Sequence, residues 1–311
     1  MEPALHLVAQ QQGGLFTTAQ ARRVGVGDRA LTRLCRDRQV VSLARSVYVL
    51  AADWPEHDDA RLAVRTRGAL TLYPDAAPAG VSTLALRTVP TFGADLARAD
   101  IVRPVHREIL TGLCRIRALH PVVRPCPGAV GSSAAVAGAL VQTALDHGHV
   151  PAVVAADHAL HHRLTTRAEI EAAAAVVRRW PEAGRVRTML AFVDGRAESV
   201  GETRLRLFVR AMGWSVVSQV PVADESGVFA YADLGVEGTN LLLEFDGRVK
   251  YASDPEALWR EKLREDRVRR QGYVFERVVW SDFDRPVGLT ARLHAARARA
   301  CTVSSGLPPT G

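Results

Sequence analysis

The pattern of apolar and polar positions changes period several times along the chain. Apolar residues recur at helical spacing from Pro3 to Gln12, and Gly13-Gly14 closes that run. Thr17 or Thr18 can cap a second helix, Ala19–Val24, because a hydroxyl accepts from the free amides of a first turn. Gly25-Val26-Gly27 makes a turn. Asp28 then caps a third helix with apolar Leu31 and Leu34 on one side and Arg29, Arg33 and Arg36 on the other. Two short β-branched runs, Val40–Leu43 and Val47–Leu50, flank Ala44-Arg45-Ser46. Helix, helix-turn-helix and hairpin is a winged-helix layout, predicted for residues 1–52.

Asp53–Asp59 is polar, acidic and proline-containing, and reads as a linker. Residues 60–195 predict a mixed α/β region. Its strands are Ala69–Leu72, Ile101–Val105 and Cys114–Leu119. A proline-rich loop, Pro121–Pro127, precedes helices Ser132–His147, Pro151–His162 and Ala168–Trp180. Residues 198–285 have another rhythm: helix Val200–Met212, strands Ser215–Val222, Ala230–Val236 and Leu241–Asp246, helix Pro255–Gln271, strand Tyr273–Trp280. Asp254, Pro255 and Gly272 supply the start and stop signals of the second helix. The predicted class is α/β (α+β overall), with a C-terminal α/β domain over 198–285 and a disordered tail over 300–311.

Apolar residues make up 48% of the 311 positions, enough for sizeable cores. No apolar run reaches membrane-spanning length and no signal peptide opens the chain, so no membrane association is expected. Cys35, Cys114, Cys126 and Cys301 form no C-x-x-C pair, which fits a reducing cytoplasm. The net charge of +7 favours a polyanion. Residues 1–50 hold seven arginines against three acids, so Arg29, Arg33, Arg36 and, in the hairpin turn, Arg45 are candidate DNA contacts. The alternative is a winged helix used to bind protein. Nucleophile-elbow, P-loop and dinucleotide signatures are absent. His147, His149, His158, His161 and His162 gather around Asp157, but without a metal-binding motif such as H-E-x-x-H they are read as structural.

Strand alternation concentrates acidic chemistry near the C-terminus. In Leu241–Asp246, Glu244 and Asp246 share one face while Leu243 and Phe245 take the other. Gly238-Thr239-Asn240 can fold the preceding strand back, bringing Asp233 beside them. Clustered carboxylates repel, and Mg²⁺ or Mn²⁺ would relieve that and activate water toward a phosphodiester. Glu202 also completes a capping-box pattern with Ser199, and Asp246-Gly247 is also a turn signal. Only Lys250 and Lys262 among the 40 basic residues are lysine, and both follow the acidic strand. Lys262 has the simpler reading of a solvated helix face.

Glu202, Asp233, Glu244-Phe245-Asp246-Gly247, Lys250-Tyr251 and the helix Glu261–Arg267 together resemble a bacterial family related to the very-short-patch-repair endonucleases, within the PD-(D/E)XK superfamily. The resemblance covers about residues 198–285. Residues 3–160 resemble, more loosely, the AbiEi antitoxin-like region of actinobacterial proteins. The first resemblance implies that Asp233 and Glu244 are metal ligands and that Glu202 orients the metal or its water. The superfamily's usual lysine position holds Asp246 here, so Lys250 or Lys262 would have to serve the site. The implied function is metal-dependent DNA endonuclease, with the winged helix holding DNA and a homodimer possible. The rival is a non-catalytic DNA-binding antitoxin or regulator with a degenerate nuclease fold, paired with a toxin or other protein.

Overall fold

The computed structural model describes residues 2–118, 133–247 and 255–300. Lys250, the loop Pro121–Pro127 and the tail 301–311 lie outside the described residues. The chain divides into two compact units: residues 1–155 with 163–191, and residues 156–162 with 192–311. Both are mixed α/β.

The first unit opens with helix α1 (Pro3–Gln10), strand β1 (Leu15–Thr17), helices α2 (Thr18–Arg23) and α3 (Asp28–Arg36), and the hairpin β2 (Val40–Ala44) and β3 (Val47–Leu50). Thr17 is the cap of α2: its hydroxyl accepts from Gln20 N at 3.2 Å, and Gln20 Oε1 accepts from Thr17 N at 2.8 Å. Gly27, not Asp28, occupies the cap of α3; Asp28 is its first residue and pairs with Arg22 at 2.7 Å. Strand β1 was not predicted. Three residues are too few to show a period, and they become a strand by pairing with β3 in a sheet ordered β1-β3-β2. Leu5, Ala9, Phe16, Ala21, Leu31, Val40 and Leu50 form the core beneath.

Helix α4 (Asp58–Leu72) absorbs the strand predicted over Ala69–Leu72. That short apolar run is the last turn of a 15-residue helix with Leu62, Ala63 and Ala69 buried. Four residues, three of them apolar, do not by themselves distinguish strand from buried helix. Strands β4 (Ala77–Pro78), β5 (Ala99–Val102), β6 (Ile109–Leu110) and β7 (Cys114–Arg117) form a sheet ordered β4-β5-β7-β6, with β5 and β7 parallel. Helix α5 (Gly80–Leu86) lies between β4 and β5 in sequence. Helices α6 (Ser133–His147), α7 (His149–His161), α8 (Arg167–Val176) and α9 (Ala183–Phe192) follow.

The second unit is built from α10 (Val200–Ala211), β8 (Val216–Asp224), β9 (Gly227–Val236), β10 (Leu241–Asp246), α11 (Pro255–Arg270), β11 (Val274–Val279) and α12 (Pro286–Arg299). Its sheet is ordered β11-β10-β9-β8; β10 and β11 run parallel and the other pairs antiparallel. The parallel pair follows from the crossover through α11. The predicted turn does join β9 to β10 as a hairpin, with Leu243 opposite Leu234. Leu205, Leu234, Leu243 and Val278 form the main core, and α12, which was not predicted, adds Leu289, Leu293 and Ala296. Gly201 lets α10 approach the sheet: a Cβ there would come within 2.0 Å of the Phe245 ring.

Candidate functional site

Two features carry candidate chemistry, one in each unit. In the first, Leu31 turns α3 inward, and Arg29, Arg33 and Arg36 are exposed on its other side. One residue is 100° of helix, so the three guanidinium stems fall within about 60° of arc. Arg36 also touches Asp37 at 3.3 Å. Arg45 is exposed in the turn between β2 and β3. The structure thus places all four predicted arginines on the surface of the winged helix.

The acidic face of the second unit is assembled from three elements. Glu202 stands in the first turn of α10, Asp233 on β9, and Glu244 and Asp246 on β10. Glu202 and Glu244 are each 8% exposed. The Glu202 amide donates to Ser199 Oγ at 3.1 Å, as a cap requires. Its carboxylate reaches one residue further back than a capping box, where Oε2 accepts from Glu198 N at 2.9 Å. The Asp233 carboxylate accepts from Phe245 N at 2.7 Å, bridging β9 to β10. Burial, and then the charges of Glu202 and Glu244, push Asp233 up to about 7 against the opposing pull of Phe245 N and Arg264.

Among the described residues, the basic side chains that complete the site are arginines. Arg264 NH2 on α11 lies 2.7 Å from both Glu244 oxygens. Arg277 on β11, in register with Glu244, reaches Glu265 at 3.4 Å, Asp246 at 3.6 Å and Glu244 at 3.8 Å. Lys262 is exposed, and its two-residue offset turns it about 200° around α11 from Arg264. The structure therefore brings Glu202, from α10, and Glu244, from β10, close enough to act on Asp233, with Asp246 on the strand face of Glu244; Lys262 points elsewhere on α11.

Gln219 was missed from the sequence. It lies on β8 between the pairs Ser218–Leu234 and Val220–Ala232, across from Asp233. Its Nε2 donates to Glu202 Oε2 at 3.2 Å. A polar side chain interrupting Val216–Val222 was the available signal. Arg277, inside the apolar strand Val274–Val279, was legible in the same way.

The donor set suits a hard divalent cation, since Asp233, Glu202 and Glu244 offer only carboxylate oxygens. Burial is the largest cause of the upward push on Asp233, and the nearby Glu202 and Glu244 charges add to it. At Glu244 such a cation would compete with the Arg264 guanidinium.

The histidine-rich segment resolves differently. Asp157 is 1% exposed and belongs to a buried network, accepting from Asp194 N at 2.7 Å, Thr203 Oγ1 at 2.8 Å and Arg206 NH2 at 2.5 Å. The His158 and His162 rings lie 4.2 Å apart, and burial with the two neighbouring rings lowers His158 to about 4. Among the described residues, Asp100, Asp146 and His147 are a group whose ligand atoms lie within 4.8 Å of one another. Arg117 sits between its carboxylates, 2.7 Å from Asp146 and 3.5 Å from Asp100. No described helix is long and apolar enough to cross a membrane.

No curated protein matches the chain. The family match covers the winged helix and stops well short of residue 160: residues 4–51 match the family described as "Transcriptional regulator, AbiEi antitoxin".

Proposed function

We propose that the chain is a DNA-binding regulator of the antitoxin type that reads duplex DNA with α3 and grips its backbone with the wing. The observation that carries this is the exposed arginine face of α3, Arg29, Arg33 and Arg36, on a segment matching a transcriptional-regulator family. A recognition helix needs a polar, cationic outer face to meet phosphates and guanine edges, and a buried face to fix its angle. Fluorescence anisotropy with the duplex upstream of the chain's own gene, against a scrambled duplex, tests it. Preferential binding lost in the double variant Arg29→Ala/Arg33→Ala is expected; equal, arginine-independent binding of both duplexes would sink it. A toxin-like protein partner belongs to the same reading, as does self-association on a palindromic site.

A second reading is favoured by the burial of Asp233 beside the carboxylates of Glu202 and Glu244. Here the acidic face holds Mg²⁺ or Mn²⁺ and hydrolyses phosphodiester bonds. The ion, when bound, supplies Lewis acidity and a lowered pKa for water. Asp233 and Glu244 would hold it, Glu202 would orient it or its water, and Asp246 would keep Arg277 near the scissile phosphate. Lys250 remains the candidate for the superfamily's lysine. The helix-three strands-helix-strand order of the unit, with β10 and β11 parallel, is the scaffold this reading requires. Incubation of supercoiled plasmid with Mn²⁺ distinguishes the readings. Nicking by wild type that disappears in Glu244→Ala supports hydrolysis, whereas binding with an intact plasmid leaves the regulator alone.

A further inference from the structure

Gln219 sits in the left-handed region, with φ 55, inside a strand whose neighbours on both sides are paired. Residues other than glycine and asparagine rarely take that conformation, because their Cβ crowds the backbone. Glycine would adopt it without strain. A strained backbone of this kind persists where its surroundings hold it, and such residues gather at working sites.

The placement gives the strain a direction. The β8–β9 ladder pairs Ser218 with Leu234 and Val220 with Ala232, so Gln219 is the β8 residue facing Asp233. Its carboxamide spans from β8 to α10, donating to Glu202 Oε2 at 3.2 Å. The same oxygen accepts from Glu198 N at 2.9 Å, so both of these hydrogen bonds fall on Oε2 and neither on Oε1. Glu202 is thereby fixed from two sides, one of them the β8 position that lies across from Asp233. One hydrogen bond to a partly buried carboxylate roughly offsets a strained backbone, so stability alone does not account for glutamine at this position.

We infer that Gln219 is a positioning residue of the acidic face, tethering the Glu202 carboxylate beside Asp233 so that both are available to one divalent cation. The inference rests on the second reading above and assigns that site an orienting residue on β8. It acts through Glu202 and makes no claim on the metal itself. Outer partners that orient a ligand matter to metal affinity without touching the ion.

The test uses the full-length protein and Mn²⁺ alone, titrated calorimetrically in metal-free buffer, with thermal unfolding measured in parallel. In Gln219→Gly the side chain and the strain both vanish. The expected result is an unfolding temperature at or above that of wild type together with Mn²⁺ affinity weakened about tenfold or more. A merely structural glutamine gives the opposite split: a lower unfolding temperature with Mn²⁺ affinity unchanged. Glu244→Ala separates the two failures. Mn²⁺ binding lost in Glu244→Ala but intact in Gln219→Gly overturns the role of Gln219 and leaves the metal site standing. Absence of Mn²⁺ binding in wild type removes the metal site and the positioning role together.

Discussion

One nitrogen of the Arg264 guanidinium lies 2.7 Å from each oxygen of the Glu244 carboxylate, so the most buried acid of the C-terminal sheet is held by a cation from the helix that crosses over it. In the metal-site reading proposed above, this pairing would compete with the cation for Glu244. Arg264→Met is expected to strengthen Mn²⁺ binding, because the competing charge is gone. It is also expected to lower stability in metal-free buffer by about 1–3 kcal/mol, the cost of taking from a mostly buried carboxylate the shorter of its ion pairs with Arg264 and Arg277. Calorimetry and urea unfolding with and without Mn²⁺ read both effects. Unchanged affinity with reduced stability would make Arg264 purely structural.

The environment of Asp233 predicts a pH dependence. Its folded pKa, about 7, lies above the ordinary carboxylate value. The folded state therefore holds its proton more tightly than the unfolded chain. The stability this contributes is fully present below the unfolded value, near pH 4, and is lost as pH rises through about 7. Asp233→Asn cannot titrate and should flatten that part of the profile. Urea unfolding of both proteins from pH 4 to 8 in chelating buffer makes the comparison. Parallel profiles would show that folding leaves the Asp233 pKa at its ordinary value.

On the winged helix the arginines predict a salt signature. Each phosphate contact removed lowers the slope of log affinity against log salt by about 0.9. Arg33→Ala should reduce that slope by roughly one contact and leave the unfolding temperature unchanged, since Arg33 is exposed. A slope equal to that of wild type would take Arg33 off the DNA.

The Asp157–Arg206 pair is expected to behave as a buried charge pair. Their side chains are 1% and 3% exposed, and Arg206 also donates to Phe192 O at 2.5 Å. Arg206→Met alone should cost about 3–5 kcal/mol, because it strands a buried carboxylate. Adding Asp157→Leu should recover much of the loss, since the stranded charge is then removed too. A double variant no better than the single one would locate the loss in packing around Arg206.

Thr17 capping, the arginine face of α3 and the β9–β10 hairpin were legible because each depends on residues a few positions apart. Strand parity placed Glu244 and Asp246 correctly on one face for the same reason. Ala69–Leu72 reads as strand because a four-residue segment has no period of its own; the preceding turns of α4 decide it. β1 and α12 went unseen because their identity comes from what they pack against.

What the sequence determined by itself, then, is local: most of the longer elements, the Thr17 cap, the β9–β10 turn, and which carboxylates share a strand face. Tertiary structure alone decided which charges meet. Arg264 comes to Glu244 across 20 residues, Gln219 to Glu202 across 17, and Arg206 to Asp157 across 49. No periodicity encodes such pairs, because they arise when separate elements bury a common core and the ionic groups stranded at its edge must find partners.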